Sequence, residues 1–538
     1  LMGDPVASSE TFTWIHSPTF RATPLDIKAE ADLHFLQGVN QIVCHGWPYT
    51  AAGVADPGWS FYAAGVFDDK NPWFIVMPDL ARYLQRVSFM MRQGTPANDV
   101  LLYLSNNDAW ANFRLGHISL TDGVGVCLGP KIVGDILDSG RNLDFFDDEL
   151  LAMRGKVEDG EIRFGDLRYN IVVLAGVERI PVATLQRLEE FARGGGLVVA
   201  TRRLPAIAPG YLASDGDQKA VHDIVYRLFQ APNAPGVFVE NEADLRDALN
   251  KRLTPDVEFS PASPEIGVVH RHTDVGEVYF LANTSNQPVH VRAAFRVSQE
   301  HAEWWNALTG EIAPAEIVGP STVTLDLPPY GSTMLVWCDR RLRERPAGGA
   351  PEKIDLSDGW SVCFGDGGWT PLQTLRSWTD DDATRNFSGV ATYKRTLHVS
   401  PEMLKHSQSI WLDFGTPKPV FEQGLRRVNS YSAALDAPVR EAAVVYVNGK
   451  AVGSVFCAPY RIEIGAFLQP GDNDIRVNVA NTALNELAAS GFPNYDYRAI
   501  VAKYGDRFEP QDVQDVKPIT SGLVGKIELI AIPRAGTP

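Results

Sequence analysis

The sequence holds no apolar run approaching the ~20 residues that a membrane-crossing helix requires. A helical membrane span is therefore excluded from its 538 residues. Cysteine is scarce. The five residues (Cys44, Cys127, Cys338, Cys363, Cys457) are odd in number, widely spaced and form no C-x-x-C pair, so neither a zinc ribbon nor a disulfide framework is indicated. Most of them read as small, buried apolar fillers. Basic charge is also in deficit: 49 Lys and Arg against 66 Asp and Glu leave −17, the reverse of the footprint that neutralises a phosphate backbone. Nucleic acid is a poor partner for such a surface. No repeat or low-complexity tract occurs, and the Gly123-Val-Gly125 pair is too short and badly placed for a dinucleotide loop.

What is present is ordinary globular sequence, 45% hydrophobic and 21% charged. Single cores stop growing near ~250–300 residues, so a chain of this length predicts three to four domains. The chain opens Leu1-Met-Gly-Asp4, with neither a basic nor an apolar leader pattern. That abrupt start predicts a fragment or a cleaved chain, whose remaining part lies upstream on the same polypeptide or on a companion chain.

Residues 1–98 carry helical patterning. Pro24 stands at a helix first turn, the helix running to Gly38, and the apolar run Val39 to Cys44 reads as a buried strand. A second helix spans Trp73 to Met91, closed by Gly94 and Pro96. Residues 99–253 alternate strands and amphipathic helices. The strand after Tyr169, the helix with Val182, Leu185, Leu188 and Ala192 on one face, and the strand Leu197 to Ala200 predict an open Rossmann or flavodoxin-like α/β sheet. Residues 254–342 switch to short strands of partial period two, a β-sandwich pattern. Residues 343–353 read as a linker. In residues 354–538, Ile475, Val477 and Val479 alternate with polar residues, and Val444 to Val447 run into Asn448-Gly449, a hairpin signal; a β jelly roll is predicted.

The chemistry-bearing stretch is Ser8-Ser-Glu-Thr-Phe-Thr-Trp14, which sets one carboxylate, Glu10, among hydroxyls and aromatics at a predicted strand end. Asn40 follows thirty positions later, leading into His45, Trp47 and Tyr49. In a (β/α)8 barrel the loops at the strand C-termini carry the site, so successive strand ends would bring Glu10 beside those residues. Aromatic faces suit sugar C–H surfaces, His45 offers a hydrogen bond, and glycosidic cleavage needs carboxyl groups on both sides of the anomeric carbon. Trp59 belongs to the same expected substrate-binding set.

Other clusters are weaker. Asp56, Asp68 and Asp69 are expected to be solvated loop acids, and the run Asp144-Phe-Phe-Asp-Asp-Glu149 a surface turn. His270 and His272 share a strand face but lack a third ligand in the sequence. Of Trp304 and Trp305, one is expected in a core; Trp411, Tyr446 and Tyr460 are expected to pack rather than to bind sugar.

Residues 34–50 (HFLQGVNQIVCHGWPYT), 56–67 (DPGWSFYAAGVF), Asn71-Pro-Trp-Phe74 and Tyr83-Leu-Gln-Arg-Val-Ser88 resemble the last two strand-helix units of the glycoside hydrolase family 106 catalytic barrel. Phe387-Ser-Gly-Val-Ala-Thr-Tyr393 extends the resemblance, as do Trp304-Trp-Asn-Ala-Leu-Thr-Gly310 and Leu327-Pro-Pro-Tyr-Gly-Ser332. The order of the first block is also similar to that of family 42 β-galactosidases, and the last unit to the jelly rolls of family 2. The resemblance implies the C-terminal part of a barrel, an amidotransferase-like α/β domain, a sandwich and a galactose-binding-like jelly roll. It further implies calcium-assisted, inverting hydrolysis of terminal α-L-rhamnosides, with Glu10 as general base and the general acid outside this chain. The calcium ligands are not assignable from sequence. The expected setting is bacterial and periplasmic or secreted; a β-galactosidase-like exo-glycosidase and a non-catalytic carbohydrate-binding fragment are the competing expectations.

Overall fold

Thr23 starts the first helix. Its hydroxyl accepts from the Asp26 amide at 3.2 Å while Asp26 accepts from the Thr23 amide at 3.0 Å, a reciprocal cap with Pro24 in the first helical position. In the computed structural model this helix, α1, spans Pro24–Leu36. The structure describes residues 1–14, 20–59, 65–114, 116, 119–342, 348–421, 431–490, 502–503 and 516–534. Residues 60–64 of the family-like block and residues 343–347 of the expected linker lie outside that set.

Two short strands flank α1: β1 (Ser8–Thr11) and β2 (Gln41–Cys44) pair in parallel, Glu10 opposite Val43 and Thr11 opposite Cys44. A strand, helix and parallel strand is the predicted order. The expected buried run at 39–44 is corrected, because the strand is shorter and Val43 and Cys44 are exposed. Among the described residues its one hydrogen-bonded neighbour is β1, and two strands cannot cover both faces. A 3-10 turn, Pro72–Val76, leads into α2, Met77–Met91. Beyond it the two-residue strand β3, Thr95–Pro96, joins the edge of the Ile266–Thr273 strand.

The next unit is a five-stranded parallel sheet, formed in chain order by β4 (Val100–Tyr103), β5 (Leu143–Phe146), Ile171–Ala175, Leu197–Thr201 and Val237–Val239. In space the second strand lies outside the first, which pairs with the third. That order is flavodoxin-like. The helix Val182–Arg193 buries Leu185, Leu188 and Ala192 against it, on the face that the 3.6-residue period indicates. Separate apolar clusters cover the two faces.

The run 144–149 is not the expected surface turn. Asp144 lies in β5 and accepts from Tyr169 at 2.6 Å and Asn98 at 2.8 Å; Asp147 caps the helix Asp148–Arg154, and Asp148 accepts from Tyr103, Asn107 and Thr184. Asp144 ties together the amino ends of parallel strands and Asp147 and Asp148 their carboxyl ends, which hydrophobic patterning alone does not mark.

Two antiparallel sheets follow, of four and six strands, enclosing Tyr279, Leu281, Val291, Phe295, Leu325 and Trp337. Trp304 packs on that interior and Trp305 on the opposite side, so each of the pair serves a different core. The last unit again sets a four-stranded against a six-stranded antiparallel sheet. Its hairpin turns at Asn448 and Gly449, with φ of 51° and 77°, joining Val447 to Lys450 as the sequence predicts. The strand Glu352–Asp355 starts inside the expected linker, a correction of its end. Tyr460 is buried, and Trp411 is half-buried beneath the Arg461 guanidinium.

One apolar cluster runs through three of these regions. It contains Phe12, Phe35, Trp73 and Leu80, the outer sandwich face at Phe280 and Val336, and Trp360, Val445 and Leu529 of the last unit. At its centre Lys28 and Asp32 are buried one turn apart, with Nζ to carboxylate 2.7 Å; Lys28 also reaches Ser332 Oγ at 3.0 Å, and Asp32 accepts from Tyr83. Both charges are thereby paired, as burial demands.

Candidate active site

The site is built on the carboxyl ends of β1 and β2. Just before β2, Asn40 is buried and holds the chain that enters β1, its Oδ1 accepting from the Ala7 amide at 2.9 Å and its Nδ2 donating to the Pro5 carbonyl at 2.9 Å. Thr11 is buried and donates to the Val43 carbonyl. Glu10, one residue earlier, is exposed, and its Oε1 accepts from Thr13 Oγ1 at 2.7 Å. The parallel pairing continues past the strand, since the His45 amide donates to the Thr11 carbonyl at 2.9 Å. Parallel register puts Val43 on the face of its partner Glu10, and His45 follows directly after the end of β2. The two strand ends named in the sequence are therefore adjacent in the fold.

Beyond His45 the chain bends away, with Trp47 62% and Tyr49 75% exposed. Trp47 meets Phe74 edge to face at 5.5 Å, and Tyr49 meets Trp59 at 6.1 Å. Trp59 is 37% exposed, and its amide donates to Thr50 Oγ1 at 3.1 Å. Exposed aromatic faces of this kind suit the alternating C–H and O–H faces of a sugar.

Trp14 ends the same motif inside the core and gives its indole N–H to Glu30 Oε2 at 2.6 Å. Burial pushes the Glu30 carboxyl up to about 7, the indole hydrogen bond opposing it only in part. Sequence reasoning missed Glu30; the signal was a glutamate on a helix whose other residues are almost all buried.

The loop acids Asp56, Asp68 and Asp69 do not assemble a calcium cage. Asp56 pairs with Lys70 at 2.7 Å, while Asp68 is buried rather than solvated, accepts from the Lys70 amide at 3.1 Å, and is pushed up to about 6 by burial. Among the described residues these acids do not bring three ligand atoms together. The set therefore does not fit the six to eight oxygens calcium takes. The group that does converge is elsewhere: Glu277 lies with His270 and His272, correcting the expectation that this pair lacks a third ligand.

A model of glycoside hydrolase family 106, described as alpha-L-rhamnosidase, matches residues 1–317. The fold is similar to that of the rhamnosidase from Novosphingobium sp. PP1Y, at 24% identity and a TM-score of 0.77, over 98% of this chain and 48% of that one. A Formosa agariphila protein provisionally named a beta-glucuronidase is 25% identical over 319 residues, 58% of this chain and 25% of its own. The chain thus spans about half of the rhamnosidase structure and a quarter of the Formosa protein. With the family match extending over more than half of the sequence, the chain belongs to the alpha-L-rhamnosidase family, glycoside hydrolase family 106.

Proposed function

We propose that this chain is the C-terminal part of an enzyme that hydrolyses terminal α-L-rhamnosides with inversion, Glu10 acting as general base. The observation that carries the proposal is the parallel pairing of β1 with β2, which sets Glu10 and His45 at one end of adjacent strands. In this reading Glu10 takes a proton from water on one side of the anomeric carbon. A general acid protonates the leaving oxygen from the other side, about 6.5–9.5 Å away in an inverting enzyme, and comes from sequence outside this chain. Thr13 orients the Glu10 carboxylate; Trp47, Tyr49 and Trp59 offer ring faces, and His45 a hydrogen bond to a hydroxyl. The exposed faces of β1 and β2 are consistent with further barrel strands covering them. The α/β unit would be amidotransferase-like and the last unit a galactose-binding-like jelly roll, with boundaries near residues 98, 253, 342 and 354.

The test uses the complete protein with an aryl α-L-rhamnoside. Glu10→Gln should lower turnover by about 10²–10⁴ while leaving sugar binding intact, and proton NMR should show the β-anomer forming first. Unchanged turnover removes Glu10 from the mechanism. The beta-glucuronidase name of the Formosa relative favours a second reading, an exo-glycosidase of another sugar. Paired aryl rhamnoside, galactoside and glucuronide substrates separate these, and binding without hydrolysis of any would favour a carbohydrate-binding role.

A further inference from the structure

The hairpin of Ile266–Thr273 and Gly276–Asn283 places His272 opposite Glu277, with His270 two residues back on the same face. Glu277 Oε2 lies 2.9 Å from His270 Nε2 and 2.5 Å from His272 Nδ1, and the three ligand atoms fall within 4.8 Å of one another. Behind them His270 Nδ1 is 2.9 Å from Asp256 Oδ2, and Tyr279 donates to the other Asp256 oxygen at 3.1 Å. The Tyr279 ring stacks on His270 at 3.9 Å, while Arg296 approaches Asp256 at 3.6 Å. The His270 ring therefore has one orientation, with Nδ1 committed to a carboxylate. Its Nε2 then meets a second carboxylate oxygen, a contact made either by a ring protonated on both nitrogens or by a cation standing in place of the Nε2 proton.

We propose that His270, His272 and Glu277 bind a divalent transition metal of the zinc class, with Asp256 as the carboxylate that orients His270. Two imidazoles and a carboxylate suit zinc, whose bonds of about 2.0–2.2 Å would set neighbouring donors roughly 3.3 Å apart. The two separations at Glu277 need open by less than about 1 Å, and the two imidazole nitrogens, within 4.8 Å of each other, need to settle at the same spacing. His272 is the exposed member and has room to move, and its open side leaves a fourth position to water. The Asp256, His270 and metal arrangement is the usual carboxylate support of a metal-bound histidine. The ion would fasten the end of this hairpin beside Thr95–Pro96, at the seam between the first unit and the sandwich.

The intact chain, stripped with a chelator and titrated with Zn²⁺ against a chromophoric competitor, should take up one equivalent, and Co²⁺ should give the visible bands of a tetrahedral site. Asp256→Asn should weaken binding about 10–100-fold. His272→Ala and Glu277→Gln should abolish it, while His290→Ala, at a distant exposed pair with Asp326, should leave it unchanged. Absence of stoichiometric uptake by the unaltered chain, or uptake that survives in His272→Ala, overturns the proposal. Because His272 is exposed, that variant retains its fold, which circular dichroism verifies.

Discussion

Glu10 stands in solvent with Thr13 as its hydrogen-bond donor, so glutamine in its place keeps an acceptor for that hydroxyl and removes only the charge. Its thermal stability should stay within about 0.5 kcal/mol of the parent. Loss of turnover in a protein of unchanged stability would be chemical in origin, not a folding defect. Glu30 behaves oppositely. Its carboxyl is pushed from 4.5 to about 7 by burial, so between those values the folded chain keeps a proton that the unfolded chain has released. Folding stability therefore declines as pH rises through that window, and the whole penalty is present above it. Glu30→Gln retains the acceptor for Trp14 without the charge. Its unfolding midpoint should match the parent at pH 4 and exceed it by about 2–4 °C at pH 8, the difference opening between pH 4.5 and 7. A constant difference at every pH would mean that Glu30 is not the titrating group.

At the scale of elements, the seam between α2 and the sandwich depends on Gly94. Its φ is 58°, and a Cβ added there would stand 1.8 Å from the His272 carbonyl oxygen, a backbone atom with no freedom to retreat. Arg271 spans the same seam, donating to the Gln93 and Gly94 carbonyls, and the Ala97 amide donates to His270. Gly94→Ala should cost on the order of 2–4 kcal/mol and speed hydrogen exchange at the Ala97 amide; unchanged exchange would show that the seam absorbs the methyl. Elements of this kind were legible in sequence where local rules act alone: Pro24 began a helix, Asn448-Gly449 turned a hairpin, and the strand-helix-strand order set Glu10 near His45. The hairpin register also held a legible clue to Glu277, opposite His272 across a short turn. Asp256 was not legible, because it precedes a strand of the other sheet and meets His270 only through packing. Nor was the exposure of β2, since an apolar run announces hydrophobicity and not the number of its neighbours.

For the whole molecule, the distribution of cores predicts which parts depend on one another. The α/β unit has apolar clusters on both faces of its own sheet, whereas the first unit shares its cluster with the outer sandwich face and the last unit. Trp73 is fully buried in that shared cluster, on the 3-10 turn that packs on the Ala442–Val447 strand, and Ser454 donates to Asp79 of α2. Each large side chain uncovered there forfeits about 1.5–3 kcal/mol, and stability margins are only ~5–15 kcal/mol. A chain ending at residue 341 should therefore lose hydrogen-exchange protection across Pro72–Val76 and α2 and bind a hydrophobic dye, while β4 and the strand Ile171–Ala175 stay protected. Equal protection of α2 in the shortened chain would show that the sandwich face alone suffices to hold it. Loss across both regions would show instead that the α/β sheet, despite its two covered faces, draws its stability from the units around it.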